Sequence, residues 1–87
     1  MDDKELDFCI KNFKRTNDNL YFEKIYRVFF QKIYRFVLLS ISDHQVAESI
    51  TIDVFYNVYR YLIKVNIDSA SFNGWIYKIK WKMDKNR

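Results

Sequence analysis

One glycine and no proline in 87 residues leave this chain almost without the residue types that reverse a backbone sharply. A sheet protein needs a tight turn after nearly every strand, and glycine and proline supply most such turns. An all-β architecture therefore fails for want of turns, and helices joined by short connections remain. The length allows a single domain, residues 1–87, and a chain this short buries only about 60 to 65% of the surface its unfolded form exposes. Bulk compensates: eight Phe, seven Tyr and two Trp are present, and each ring can bury roughly 150 to 250 Å².

Apolar spacing sets out the helices. Acids open the segment Asp2 to Phe13, where Leu6, Cys9, Ile10 and Phe13 form a stripe at intervals of three and four, predicting a short first helix. The polar run Arg15 to Asn19 breaks it with residues suited to a turn. From Leu20 to Ile41 the positions Phe22, Ile25, Tyr26, Phe29, Phe30, Ile33, Tyr34, Val37 and Ile41 predict a long second helix. Ser42 followed by Gln45 matches a capping box, so a third helix is expected from Asp43 to about Ile63.

The third helix has an inner stripe of Ala47, Ile50, Val54, Val58, Tyr61 and Leu62. Ile52, Phe55, Tyr56, Tyr59 and Ile63 add a second apolar band that one small core can hardly absorb. That band either faces a partner or is covered by Asp2 to Phe13 folding across it. Lys64 to Gly74 is the longest irregular stretch, with Asp68, Ser69 and Ser71 as candidate caps before a final helix. The expected fold is all-α, a compact bundle of three main helices plus a short N-terminal helix.

Charge is concentrated at the carboxyl end. Trp75 to Arg87 holds Lys78, Lys80, Lys82, Lys85 and Arg87 against the single acid Asp84, a surplus equal to the +4 net charge of the whole chain. On a helix, Trp75, Ile76, Ile79 and Met83 share one side, while Lys78, Trp81, Lys82 and Lys85 recur on another. A solvated last turn favoured by the helix dipole accounts for the lysines but not for Trp81 among them. Clustered cations gain by displacing counterions from phosphates, and a Trp stacks on an unpaired base, so a single-stranded nucleic acid suits this face.

Other chemistries find little support. Cys9 is the only cysteine and His44 the only histidine, so no internal disulfide and no thiol-based metal site can be assembled. His44 reads as a surface residue. Ser42, Ser49, Ser69 and Ser71 lack a nucleophile elbow, and one glycine cannot build a phosphate cradle. Glu48 and Asp53 lie on diverging helical faces, unsuited to paired acid and base work. The chain is expected to be no enzyme, to need no cofactor or metal, and to work in the cytoplasm without a membrane span.

Two patterns stand in order on consecutive predicted helices: A-E-S-I-T-I-D-V-F from Ala47 to Phe55, and S-F-N-G-W-I-Y-K-I from Ser71 to Ile79. With F-E-K-I-Y-R-V-F-F-Q-K-I-Y from Phe22 to Tyr34, they resemble region two of bacterial sigma factors, closest to the extracytoplasmic-function group. The resemblance covers almost the whole chain. It implies a helical domain that docks on the clamp helices of the RNA polymerase β′ subunit and opens the promoter at its minus-ten element. Polymerase contact would map to Glu48, Ser49, Ile52, Asp53 and Tyr56. Non-template bases would be captured by the loop Val65 to Ser71, with Asn66, Asp68, Ser69 and Ser71, bordered by Phe72 and Asn73. Lys78, Trp81, Lys82, Lys85 and Arg87 would hold the DNA strand.

The chain also departs from that pattern. Ser49 stands where the family usually has Asp, and Ile52 where it usually has Gln, which puts polymerase affinity in question. Lys80-Trp81-Lys82 replaces the usual A-x-N, and D-K-N-R from Asp84 to Arg87 arrives two residues early. No second helix-turn-helix domain follows Arg87: either this is an excised domain, or the expected partners include a separate chain that supplies the minus-thirty-five reader, with an anti-sigma factor another. The alternative is a sigma-like interaction protein, or one half of a split sigma factor, acting through a partner subunit. A further rival is a basic amphipathic segment lying on anionic membranes.

Overall fold

A computed structural model describes residues 1–85, with side chains described through residue 79. The fold is all-α: α1 spans Asp3–Thr16, α2 Asn19–Ile41, α3 His44–Leu62 and α4 Ser69–Lys85. Each helix opens on an aspartate whose carboxylate takes an otherwise orphaned backbone amide. Asp2 accepts from Glu5 at 2.8 Å, Asp18 from Leu20 at 3.0 Å, Asp43 from Val46 at 3.1 Å and Asp68 from Ser71 at 2.9 Å.

The capping box expected at Ser42 is not formed. Ser42 instead ends α2 in the left-handed region, φ 60°, donating its amide to the Leu38 carbonyl. The cap of α3 falls one residue later, on Asp43, whose charged oxygen is a stronger acceptor than a hydroxyl. Asn17 ends α1 in the same way, φ 58°.

The helices form a ring, with α2 packed on α1 and α3, and α4 closing against α3 and α1. α1 therefore sits diagonally from α3. The expected α1 stripe of Leu6, Cys9, Ile10 and Phe13 is buried, and Ile25, Phe29, Ile33 and Val37 carry the seam of α2 into the same core. Phe22, Tyr26, Phe30 and Tyr34 are half-buried beside it, while Ile41 at the helix end is exposed.

On α3 the sequence reading needs correction at three positions. Tyr61, expected inside, is exposed, whereas Phe55 from the outer band is buried against Tyr26 and Phe30. Thr51 is fully buried, its hydroxyl donating to the Ala47 carbonyl at 2.7 Å, so its polar atom is satisfied without leaving the helix. From α4, Phe72, Ile76 and Ile79 complete the core.

Candidate nucleic-acid interface

The connection from α3 to α4 is shorter than the sequence suggests. Ser69, Ser71, Phe72 and Asn73 already lie on the first turns of α4, leaving residues 63–68 as the linker. The Asp68 cap makes this possible, since its backbone carbonyl also takes the Phe72 amide at 3.0 Å.

Contacts from α1 tie the linker down. The Asp7 carboxylate accepts from the Ser69 amide at 2.7 Å and from the Ser69 hydroxyl at 3.1 Å. The Lys14 ammonium donates to the Val65 carbonyl. At the α3 end, the Lys64 and Val65 amides both turn back to the Tyr61 carbonyl. The segment is thus fixed at three places, two of them, at Val65 and at Ser69 just past its end, by α1 partners far away in sequence.

Beside the linker lies an open depression of about 480 Å³, whose walls include Val65, Asn66, Ser71, Gly74, Trp75 and Lys78. Trp75 is half-buried and leans on the Phe72 ring at 5.8 Å between centroids. Lys78 is exposed on the next turn. A Cβ built on Gly74 would meet nothing within 4 Å, so the helical wall is open there.

The residues expected to meet DNA therefore divide. Asn66, Asp68, Ser71, Asn73 and Lys78 are exposed, but only Asn66, Ser71 and Lys78 of these line the depression. Phe72 is fully buried and packs its edge against Phe29 at 5.0 Å, so it has no surface to offer a base and instead anchors the start of α4. Ser69 is buried, with amide and hydroxyl both engaged by Asp7. Trp81, Lys82, Lys85 and Arg87 lie outside the residues whose side chains are described.

The expected polymerase face is on α3. Glu48 and Ser49 are exposed, Ile52 is 50% and Tyr56 62% exposed, and Asp53 is partly buried. Of the two alternatives for the apolar band, cover by α1 holds only at one end. α1 reaches Tyr59 through Phe13, with ring centroids 5.3 Å apart, but leaves Ile52, Tyr56 and Ile63 exposed. Arg60 lies over the Tyr56 ring at 5.5 Å, so the stripe ends in a cation against an aromatic face.

Sequence reasoning missed Asp7 and Lys14, because their partners lie 62 and 51 residues away. It also missed the hydrogen bond between the Tyr34 hydroxyl and His44 Nδ1, at 2.8 Å, which ties α2 to the start of α3. Among the described residues no group of three His, Cys, Asp or Glu could hold a metal ion, and no helix is long and apolar enough to cross a membrane. No protein-family model matches the chain, and neither does a curated protein or a solved structure. What the molecule defines by itself is a four-helix ring with a pinned linker and an uncovered apolar stripe.

Proposed function

We propose that this protein is a sigma region-two-like module, which binds the β′ clamp helices of RNA polymerase and holds the melted non-template strand of a minus-ten element. The observation that carries the reading is the linker itself, fixed at three points yet bordered by an open depression with Trp75 and Lys78 on its wall. Unstacked bases need a pocket whose geometry exists before they arrive, and a nearby cation for the phosphate. The three sequence patterns that resemble the sigma family fall on α2, α3 and α4 in turn, and the exposure of Ile52 and Tyr56 on α3 supports the reading.

In this mechanism Phe72 and Ser69 position the linker, while Asn66, Asp68, Ser71 and Asn73 meet bases. Lys78 holds phosphate, joined on sequence spacing by Trp81, Lys82, Lys85 and Arg87. No bond is made or broken by the chain. Fluorescence anisotropy of a labelled non-template oligonucleotide, alone and with core polymerase at two salt concentrations, tests it. Binding that weakens with salt and changes base preference on Asp68→Ala or Ser71→Ala supports the reading, and salt-independent or absent binding overturns it.

A second reading is favoured by one observation. Ser49 and Ile52 make the centre of the α3 face less polar than the sigma pattern, and Ile52 and Tyr56 are exposed. A sigma-like interaction protein that buries this stripe against a regulator or partner subunit fits such a surface. Retention on isolated β′ clamp helices, lost with Asp53→Lys or Tyr56→Ala, favours the first reading. No retention by the unmodified protein favours the second.

A further inference from the structure

The linker borders two depressions. Opposite the α4 depression lies a second, of about 490 Å³, walled on the far side by α1. Asn66 and Ile67 border both, so the two depressions meet across the linker as across a low ridge. Lys11, Lys14 and Arg15 stand on the α1 wall, at the spacing that puts three cations on one helical face.

Their roles differ. Lys14 is occupied with the Val65 carbonyl, whereas Lys11 and Arg15 are exposed. Arg15 donates one bond, to Asn12 at 3.0 Å. Among the described residues the ion pair formed is Arg27 with Glu23 on α2, so neither Lys11 nor Arg15 is neutralised by contact with an acid. Two carboxylates also line this groove, Asp7 on α1 and Asp68 in the linker, and both accept hydrogen bonds from the start of α4. Asp7 accepts twice from Ser69, and Asp68 caps α4 through one oxygen.

We infer that a single-stranded nucleic acid held in the α4 depression continues across the linker at Asn66 and Ile67 into the α1 groove, where Lys11 and Arg15 hold its phosphates. The site extends the reading proposed above and rests on it. A polyanionic strand is the occupant because two cations, Lys11 and Arg15, without an acidic ion-pair partner among the described residues, line a groove that shares Asn66 and Ile67 with the depression lined by a third cation, Lys78. One strand spanning both slopes would contact more phosphates than either slope alone, and its binding would be correspondingly steeper in salt.

The test compares the full chain with the double variant Lys11→Gln/Arg15→Gln, each single variant, Lys78→Gln, and Lys24→Gln as a matched cation on α2 that borders neither depression. The probe is a labelled single-stranded oligodeoxynucleotide, titrated at several salt concentrations with and without core polymerase. Losing two phosphate contacts should lower the salt slope by about 1.4 and weaken binding roughly ten- to thirtyfold at 0.1 M salt, with Lys24→Gln unchanged. Circular dichroism melting of each variant checks that the bundle is intact, and the single variants report if the double one is not.

If Lys78→Gln weakens binding while the α1 variants leave affinity and slope unchanged, the inference is overturned and the proposed function stands. If the unmodified protein binds no strand in either condition, the proposed function fails and takes the inference with it. Equal losses from Lys24→Gln and from the α1 variants would mean diffuse attraction to a basic protein and would also sink the groove.

Discussion

The linker and the outer face of α3 are neighbours in sequence and opposites in construction. Two polar contacts from α1, Asp7 to Ser69 and Lys14 to Val65, together with the Asp68 cap, immobilise the first. The second is apolar and faces outward, with Ile52, Tyr56 and Ile63 at least two-fifths exposed. A surface that must read chemical detail needs its donors and acceptors held still before the ligand comes. One that gains by shedding water needs only area and shape, and can leave its neighbours loose. On the proposed function, recognition belongs to the linker and adhesion to the third helix.

Substitutions can break this contrast, and the largest effect is expected under the linker. Phe72→Ala removes a fully buried ring from beneath it, and should cost about 3 to 5 kcal/mol in urea or thermal unfolding. A loss below about 1 kcal/mol would mean that α4 is not anchored by this side chain. Asp7→Ala should cost about 1 to 3 kcal/mol, because the buried Ser69 amide and hydroxyl lose their acceptor. Hydrogen exchange sharpens the point: protection of residues 65 to 69 should fall well before that of α2. Uniform loss across the bundle would show that the latch is ordinary stability rather than local restraint.

Smaller effects come next. Asp43→Ala should cost about 1 kcal/mol, while Ser42→Ala should cost less, since it is Asp43 that holds the Val46 amide. Gly74→Ala adds a methyl into open space on a helix and should stabilise the fold by about 0.5 to 1 kcal/mol. Tyr56→Ala should shift stability least, within about 0.5 kcal/mol, because the ring is mostly in water. Its effect should appear instead as lost retention on the clamp helices. Marked destabilisation by Tyr56→Ala would mean that the α3 face is structural, and the division of labour would fail.

How much of this was legible beforehand varies with the range of the contacts. The α1 stripe and the α2 seam follow from intervals of three and four residues, because burial on a helix is set by local geometry. Asp68 was readable as a candidate cap for the same reason. The early start of α4 was not, since Ser69, Ala70 and Ser71 have the composition of a loop and are drawn into the helix by Asp68 and by Asp7 of α1. The exchange of Tyr61 for Thr51 and Phe55 inside α3 depends on how two helices pack, which periodicity alone leaves open. At the candidate site, charge and spacing single out Lys78 and the sigma resemblance singles out Asn66, and both are exposed beside the depression, whereas the burial of Phe72 and Ser69 needed the third dimension.

Cys9 is fully enclosed by the core, and burial, more than the opposing pull of Lys24 or the push of Glu5, holds its thiol above the ordinary value of 9.0. The unfolded chain gives up that proton first, so the share of stability resting on it declines as pH climbs past 9. Below that pH the sulfur is shielded both sterically and by its protonation, and an alkylating reagent can reach it only when the bundle parts around α1. Because the sequence holds one cysteine, the speed of such labelling is a clock with a single hand, timing how often the first helix leaves its seat and whether a bound strand keeps it there.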